Sequence, residues 1–376
     1  MARKINLSAN TEAVLSGMNT NIDAMQNLMT DLALGREIYD EATQKVVSPA
    51  AANAIIHKFS LATLGIEDIR DRQAVRRGKR DHGREWLDIV ENTVEMTVTQ
   101  GMEQNEWFNT YVERMTIGYG DRLDFYSEND NLLFIAKAGE SHHDHILQRL
   151  SYGEKMSIPT ERRVVKIGAD INRFLLGDVD WSRWIQSISK SYVVDTQYLA
   201  YNALGIAVTK LPVTSGFIGT GALNSTNKPA FDAIIANVQA ANEGADVSIF
   251  GTKAALKKIN ALADVDWASI AQKDSFATTG LIGMYEGTPL VEIPQRFKDR
   301  TMTDKLFDDR KLYIMPLLDN KMVKMVDEGT TEITEVTEKG EEHGRWDDLM
   351  TYEVQRRYGC GVVCGRYFGQ WTLPQQ

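Results

Sequence analysis

Cysteine is scarce in this chain: among 376 residues there are only Cys360 and Cys364, in Y-G-C-G-V-V-C-G-R. The C-x-x-C spacing of a redox pair is absent. Two reduced, partly buried thiols are expected, which fits synthesis in a cytoplasm. No apolar run approaches the ~18 residues of a helical membrane span. The start M-A-R-K-I-N-L-S-A-N has two cations with no apolar stretch behind them, so no signal peptide is expected. Neither G-x-S-x-G nor H-E-x-x-H occurs, and no nucleophile stands beside an obvious base. Positive charge is also in deficit. The net charge of −10 argues against a protein that wraps nucleic acid by releasing counterions.

What is present is enough chain for two or three structural units with a sizeable core. Within residues 1–45, Leu15, Met18, Ile22, Met25, Leu28, Met29 and Leu32 recur mostly at spacings of three and four, which predicts a helix with one apolar face. Residues 70–85 hold seven cations (Arg70, Arg72, Arg76, Arg77, Lys79, Arg80, Arg84) against three acids (Asp71, Asp81, Glu85). This is the one strong basic cluster, read as a solvated linker or as subunit ion pairs, with phosphate contact as the lesser reading. Residues 86–112 fit helix or strand. From Thr116, turns at Tyr119–Asp121 and Glu128–Asn131 flank apolar runs at Leu132–Ala136 and Val164–Ile171. Two strand-like arms around a polar middle predict a long hairpin, which suits reaching over a neighbour.

A long helix follows. Asp180 can cap it, Trp181, Trp184, Ile185, Ile188, Tyr192, Leu199 and Ala203 form its stripe, and Gly205 can end it. Its ~24 residues would make a rod of ~36 Å. Pro229 starts a further helix to about Ala241. Val247–Phe250 reads as a buried strand, Thr252 as the cap of the next helix, and Leu290–Ile293 and Leu312–Met315 as more strands. Asp327–Asp348 carries nine acids and two cations, so a solvated loop or hairpin is expected there. Tyr352–Leu373 is aromatic and strand-like, and is expected to pack on the long helix.

The strongest metal candidate is Ser141-His142-His143-Asp144-His145. Imidazoles suit Zn²⁺ or Ni²⁺, and His143 and His145 would share a strand face. No Cys or spaced partner completes a tetrahedral set, so no native metal or cofactor is expected. Gly280-x-x-Gly283-x-x-x-Gly287 is not the dinucleotide fingerprint and reads as turn glycines. Gly251-Thr252-Lys253 has the wrong order for a phosphate loop.

The order of parts at 84–372 resembles the major capsid protein of tailed bacteriophages, the Hong Kong 97-like family. The most specific local match is Gly287-Thr288-Pro289-Leu290-Val291, following the strand Val247–Phe250 and the helix start at Thr252. The resemblance implies an α+β fold. Its parts would be an N-terminal helical arm or added segment (1–85), the start of a peripheral domain (86–112) and an extended hairpin loop (113–170). A peripheral segment with the spine helix (171–206), a compact α/β axial domain (207–326) and a peripheral return (327–376) would follow.

It further implies a non-enzymatic subunit that self-assembles through pentamers and hexamers into an icosahedral shell. The shell would enclose double-stranded DNA without sequence-specific binding, in a virion assembled in the host cytoplasm. Portal and scaffolding proteins would be partners, and no membrane. An acidic shell would repel packaged DNA and let it slide. Leu132, Leu133, Phe134 and Ile135 in the loop, and Arg76, Arg77 and Arg80 in the basic cluster, are the candidate inter-subunit contacts. Three other readings stand beside this one: an encapsulin-type compartment, a tail tube or sheath subunit, and a metal-dependent hydrolase using His142, His143 and His145.

Overall fold

A computed structural model describes residues 22–39, 46–103, 105–127, 154–169, 181–209, 215–262, 276–277, 280–298, 301–317, 321–336, 350–363 and 367–374. The helices are α1 (Ile22–Leu34), α2 (Pro49–Thr63), α3 (Arg72–Glu103), α4 (Glu106–Tyr111), α5 (Trp181–Thr209), α6 (Lys228–Ala241) and α7 (Lys253–Ile259). The strands are β1 (Ile38–Tyr39), β2 (Val46–Val47), β3 (Val112–Ile117), β4 (Asp124–Ser127), β5 (Glu154–Ser157), β6 (Glu161–Ala169) and β7 (Ile218–Thr220). They continue with β8 (Val247–Thr252), β9 (Met284–Tyr285), β10 (Thr288–Ile293), β11 (Lys311–Pro316), β12 (Val323–Val336), β13 (Met350–Val362) and β14 (Gly369–Thr372). The chain is α+β and divides into two units. One comprises Met1–Asn105, Thr160–Thr196 and Asp327–Tyr358, and the other Glu106–Pro159, Gln197–Val326 and Gly359–Gln376.

In the first unit, Ser48 caps α2 by accepting the Ala51 N–H at 3.3 Å, and Pro49 occupies the first turn. The helix ends in a Schellman motif. Gly65 takes φ +65°, its N–H reaches the Ala62 carbonyl, and the Ile66 N–H reaches that of Leu61. Asp71 then caps α3 through the Gln73 N–H at 2.8 Å. The basic cluster is therefore the start of a 32-residue helix and not a linker. The 86–103 stretch settles as helix because Trp86, Ile89, Val90, Val94, Val98 and Met102 all fall on its buried face.

The strands β3-β12-β13-β6 form a four-stranded sheet in that order. The stretch expected to be a solvated acidic loop enters this sheet: Asp327–Val336 belongs to β12, and Asp327 and Glu328 are buried. The rest of that stretch, 337–348, lies outside the described residues. In β13, Tyr352, Val354, Arg356 and Tyr358 alternate inward. Tyr352 meets Trp184 of α5, and Tyr358 meets Tyr192, both edge to face.

In the second unit the six-stranded sheet runs β7-β14-β11-β8-β10-β9. Both of its faces are covered, which explains why all six residues of β8 are buried. On one side Ile249, Leu312, Ile314 and Trp371 pack with Phe231, Ile234 and Val238 of α6 and Leu256 and Ile259 of α7. On the other, Phe250 and Tyr313 stack at 5.3 Å and meet Trp107, Tyr111 and Tyr201. Pro229 sits in the first turn of α6, and Thr252 accepts the Ala255 N–H to cap α7. Glu286 and Gly287, both at positive φ, make a two-residue turn between β9 and β10.

Two expectations change here. The long helix does not stop at Gly205 but continues to Thr209. Leu204, Ala207 and Val208 are buried. That burial outweighs the ~1 kcal/mol a mid-helix glycine costs, and a Cβ on Gly205 would lie 3.7 Å from the Tyr313 hydroxyl. Trp371 does not lie on the long helix. It joins the six-stranded sheet, donates to the Gly221 carbonyl at 2.9 Å, and covers Gly219 so closely that a Cβ there would clash.

Candidate functional site

A hairpin stem stands within 113–170, but its arms are not the expected ones. The run from Val164 lies in β6 and pairs with β13, because its alternating residues complete the four-stranded sheet, and Leu132–Ala136 lies outside the described residues. β4 pairs antiparallel with β5, from Asp124↔Ser157 to Ser127↔Glu154. Lys155 bridges to Asp124 at 2.7 Å, and Arg122 donates to Ser157. Tyr126 within β4, and Tyr119 five residues before that strand, are exposed. Leu132, Leu133, Phe134 and Ile135 lie outside the described residues, as do His142, His143 and His145. Arg76, Arg77 and Arg80 are described, and all three are exposed on α3. Arg80 pairs with its neighbour Asp81 at 2.8 Å, a contact that holds the Asp81 carboxyl below its ordinary range.

The densest chemistry in the first unit is a buried charge network that the sequence reading did not find. Arg356 of β13 is 4% exposed. It donates to Glu95 of α3 at 3.2 Å, and Asp327 of β12 lies 3.9 Å away. The guanidinium also lies over the Tyr192 ring, 5.7 Å from its centre. Glu95 accepts a second bond from the Thr331 hydroxyl at 2.6 Å. One turn earlier, Glu91 accepts the Ile333 backbone N–H at 2.6 Å. Burial pushes the Glu91 carboxyl up to about 7, against that backbone bond, with Asp88 and Glu332 adding to the rise and Arg84 opposing it. On α5, Asp195 accepts the Tyr358 hydroxyl at 2.6 Å and lies 3.5 Å from Arg163. The Tyr192 hydroxyl donates to the Val354 carbonyl at 2.6 Å.

The arrangement ties together α3, α5, β12 and β13. Glu91, Glu95 and Asp195 each accept from a backbone, hydroxyl or guanidinium donor of a neighbouring element. Desolvation, with the bond to Asp195, raises the Tyr358 hydroxyl far above its ordinary range, so it stays a proton donor. Burial likewise pushes the Cys360 thiol up to about 12, which makes it unreactive. Among the described residues no group of three His, Cys, Asp or Glu side chains could hold a metal ion. No described helix is long and apolar enough to cross a membrane.

Two signals in the sequence mark this network. Arg356 interrupts the inward alternation of Tyr352, Val354 and Tyr358. Glu91 and Glu95, four apart, run beside the apolar positions Val90, Val94 and Val98.

The family model described as "SPbeta prophage-derived putative capsid protein YonB" matches residues 24–372. Among solved structures, the Microbacterium phage Oxtober96 chain is similar at 11% identity, covering 72% of this chain and 91% of that one, with a TM-score of 0.46. A chain of the satellite phage P4 procapsid with size determination protein is similar at 11% identity, covering 74% and 90%, with a TM-score of 0.45. A chain of the virus-like particle from Pyrococcus furiosus is similar at 13% identity, covering 76% and 99%, with a TM-score of 0.42. No curated protein matches the chain. The family match runs through both units and every described strand, and by it this chain belongs to the YonB family of prophage-derived capsid proteins.

Proposed function

We propose that this chain is the major shell-forming subunit of a tailed-phage-type capsid, a structural protein that works by assembling with copies of itself. The observation that carries this is the capsid family match over residues 24–372. The order of elements agrees with it: a hairpin stem, a long helix, a compact α/β body and a return to the first sheet.

In this reading, copies close into pentamers and hexamers through heterologous contacts, and those build an icosahedral shell. The loop carried by the β4–β5 stem crosses an adjacent subunit, with Leu132–Ile135 as its apolar anchor. Many weak contacts then give a strong shell through multivalency. Double-stranded DNA is enclosed without sequence-specific grip, since the net charge of −10 repels phosphate. Assembly takes place in the host cytoplasm, with a portal and a scaffolding protein as partners.

The test is electron microscopy with light scattering on the purified chain, alone and co-expressed with its neighbouring genes. Closed particles, pentamers or hexamers are expected. A monomer or small dimer under both conditions overturns the proposal. Deleting residues 128–153, beyond the described stem, is expected to leave a folded chain that closes no shells.

A further inference from the structure

The first turns of α3 carry a second feature, which shares only Arg84 with the surroundings of the charge network. Arg76, Arg80 and Arg84 recur at every fourth residue, and Arg77 lies beside them. At 3.6 residues per turn these four stems leave the helix within about a third of its circumference, along roughly 12 Å of axis. All four are exposed. Among the described residues Arg80 has its neighbour Asp81, while Arg76, Arg77 and Arg84 form no salt bridge within the unit.

The opposite side of the same turns is fixed. Val75, Trp86, Ile89 and Val90 are buried. Gly78 approaches the Schellman turn after α2 so closely that a Cβ would lie 2.3 Å from the Leu64 carbonyl oxygen. The arginines therefore stand on a backed, rigid helix and not on a solvated linker. Little backbone freedom remains to be lost when this face meets a partner.

We infer that this arginine face docks an acidic surface of a second copy of the chain. The inference rests on the shell reading and names a contact within it. Charge selects the partner. Residues 70–85 hold seven cations and three acids, a balance of +4, which leaves −14 for the rest of a chain of net −10. Outside this cluster, every other copy thus carries a net negative charge. The side chains on this face are all arginine, whose planar fork pairs two-to-two with carboxylates. Such exposed pairs are weak singly, so the contact gains its strength from repetition over many copies. It is also sensitive to salt, since screening shortens from about 8 Å at 0.15 M to about 3 Å at 1 M.

The experiment compares the full chain with two triple variants, Arg76→Glu/Arg80→Glu/Arg84→Glu and Arg76→Lys/Arg80→Lys/Arg84→Lys. Assembly is followed by light scattering at about 0.15 M and about 1 M salt, with melting curves on each protein and a short duplex DNA as a second probe. The wild-type critical concentration for assembly is expected to rise about tenfold or more at high salt. The glutamate variant is expected to melt like wild type and show the same loss at low salt, while the lysine variant stays within a few-fold. A glutamate variant that assembles like wild type overturns the inference. So does duplex DNA that binds wild type and not the glutamate variant while assembly is unchanged, which would make the face a phosphate contact. If the glutamate variant fails to fold, the salt response of wild type decides: a critical concentration unmoved by salt overturns the inference. Wild-type chain that forms no oligomer at any salt, alone and co-expressed with its neighbouring genes, sinks the shell reading itself.

Discussion

The two sheets of this protein solve the same problem by opposite means. The six-stranded sheet is dry: its centre is Phe250 and Tyr313 on one face and Ile249, Leu312 and Ile314 on the other. The four-stranded sheet buries charge: Arg356, Glu95 and Asp327 meet where a hydrocarbon core would otherwise lie. Apolar packing is non-directional and tolerates small shifts. A buried ion pair has one good geometry, and leaving either partner alone is costly. The first sheet should therefore resist pH and salt, and the second should register both.

The largest effect is expected in the dry sheet. Phe250→Ala removes a ring held between Trp107, Tyr111 and Tyr313. It should cost about 4 kcal/mol by chemical denaturation, by about the same amount at every pH. In the charged sheet, Arg356→Ala leaves Glu95 and Asp327 buried together and should cost about 3 kcal/mol. Adding Glu95→Gln should recover part of that loss, a non-additivity that no pair of substitutions across the dry sheet should match.

The comparison sharpens with pH. The Glu91 carboxyl has an ordinary value of 4.5 and a folded-state value of about 7. Its proton is thus held more tightly in the folded chain. The stability it contributes is whole below about 4.5 and is lost as pH rises through about 7. Allowing for its partial exposure, wild type should lose about 2 kcal/mol between mildly acidic and mildly alkaline pH. Glu91→Gln should flatten that slope, as read from melting temperature against pH. A wild-type curve without the decline would remove Glu91 from this role. The smallest effect belongs to Tyr358→Phe, which deletes the bond to Asp195 and should cost about 1 kcal/mol.

How much of this was legible depended on where each element's partners lie in the sequence. α6 and α7 announce themselves locally, through Pro229 in a first turn and Thr252 as a cap, and both hold. The buried strand at Val247–Phe250 was readable for the same reason. The hairpin arms were not: the stem pairs 124–127 with 154–157, while the Val164 run expected to return the hairpin lies in β6 and pairs with the distant β13. The acidic run at Asp327 was misread because its burial is decided by Arg356 and by Glu95, which stands 261 positions before that arginine. Charge density alone cannot reveal a partner at that distance. Gly205 misled in a similar way, since the packing that carries α5 past it involves Tyr313 on β11. The basic cluster read as linker because its buried side is sparse, marked by Val75, Gly78 and the later Trp86.

The place of β14 in its sheet has a consequence for the order of events during synthesis. β14 is an interior strand, flanked by β7 and β11, and it pairs Gln370 with Ile218. A ribosome adding about 5–20 residues per second makes β7 many seconds before β14 exists. Until then β7 has no neighbour in the sheet, and one side of β11 is bare. Non-local closure of this kind is slow. The same delay keeps a half-made subunit from presenting a finished body to others, so synthesis itself sets the clock on when a copy can join.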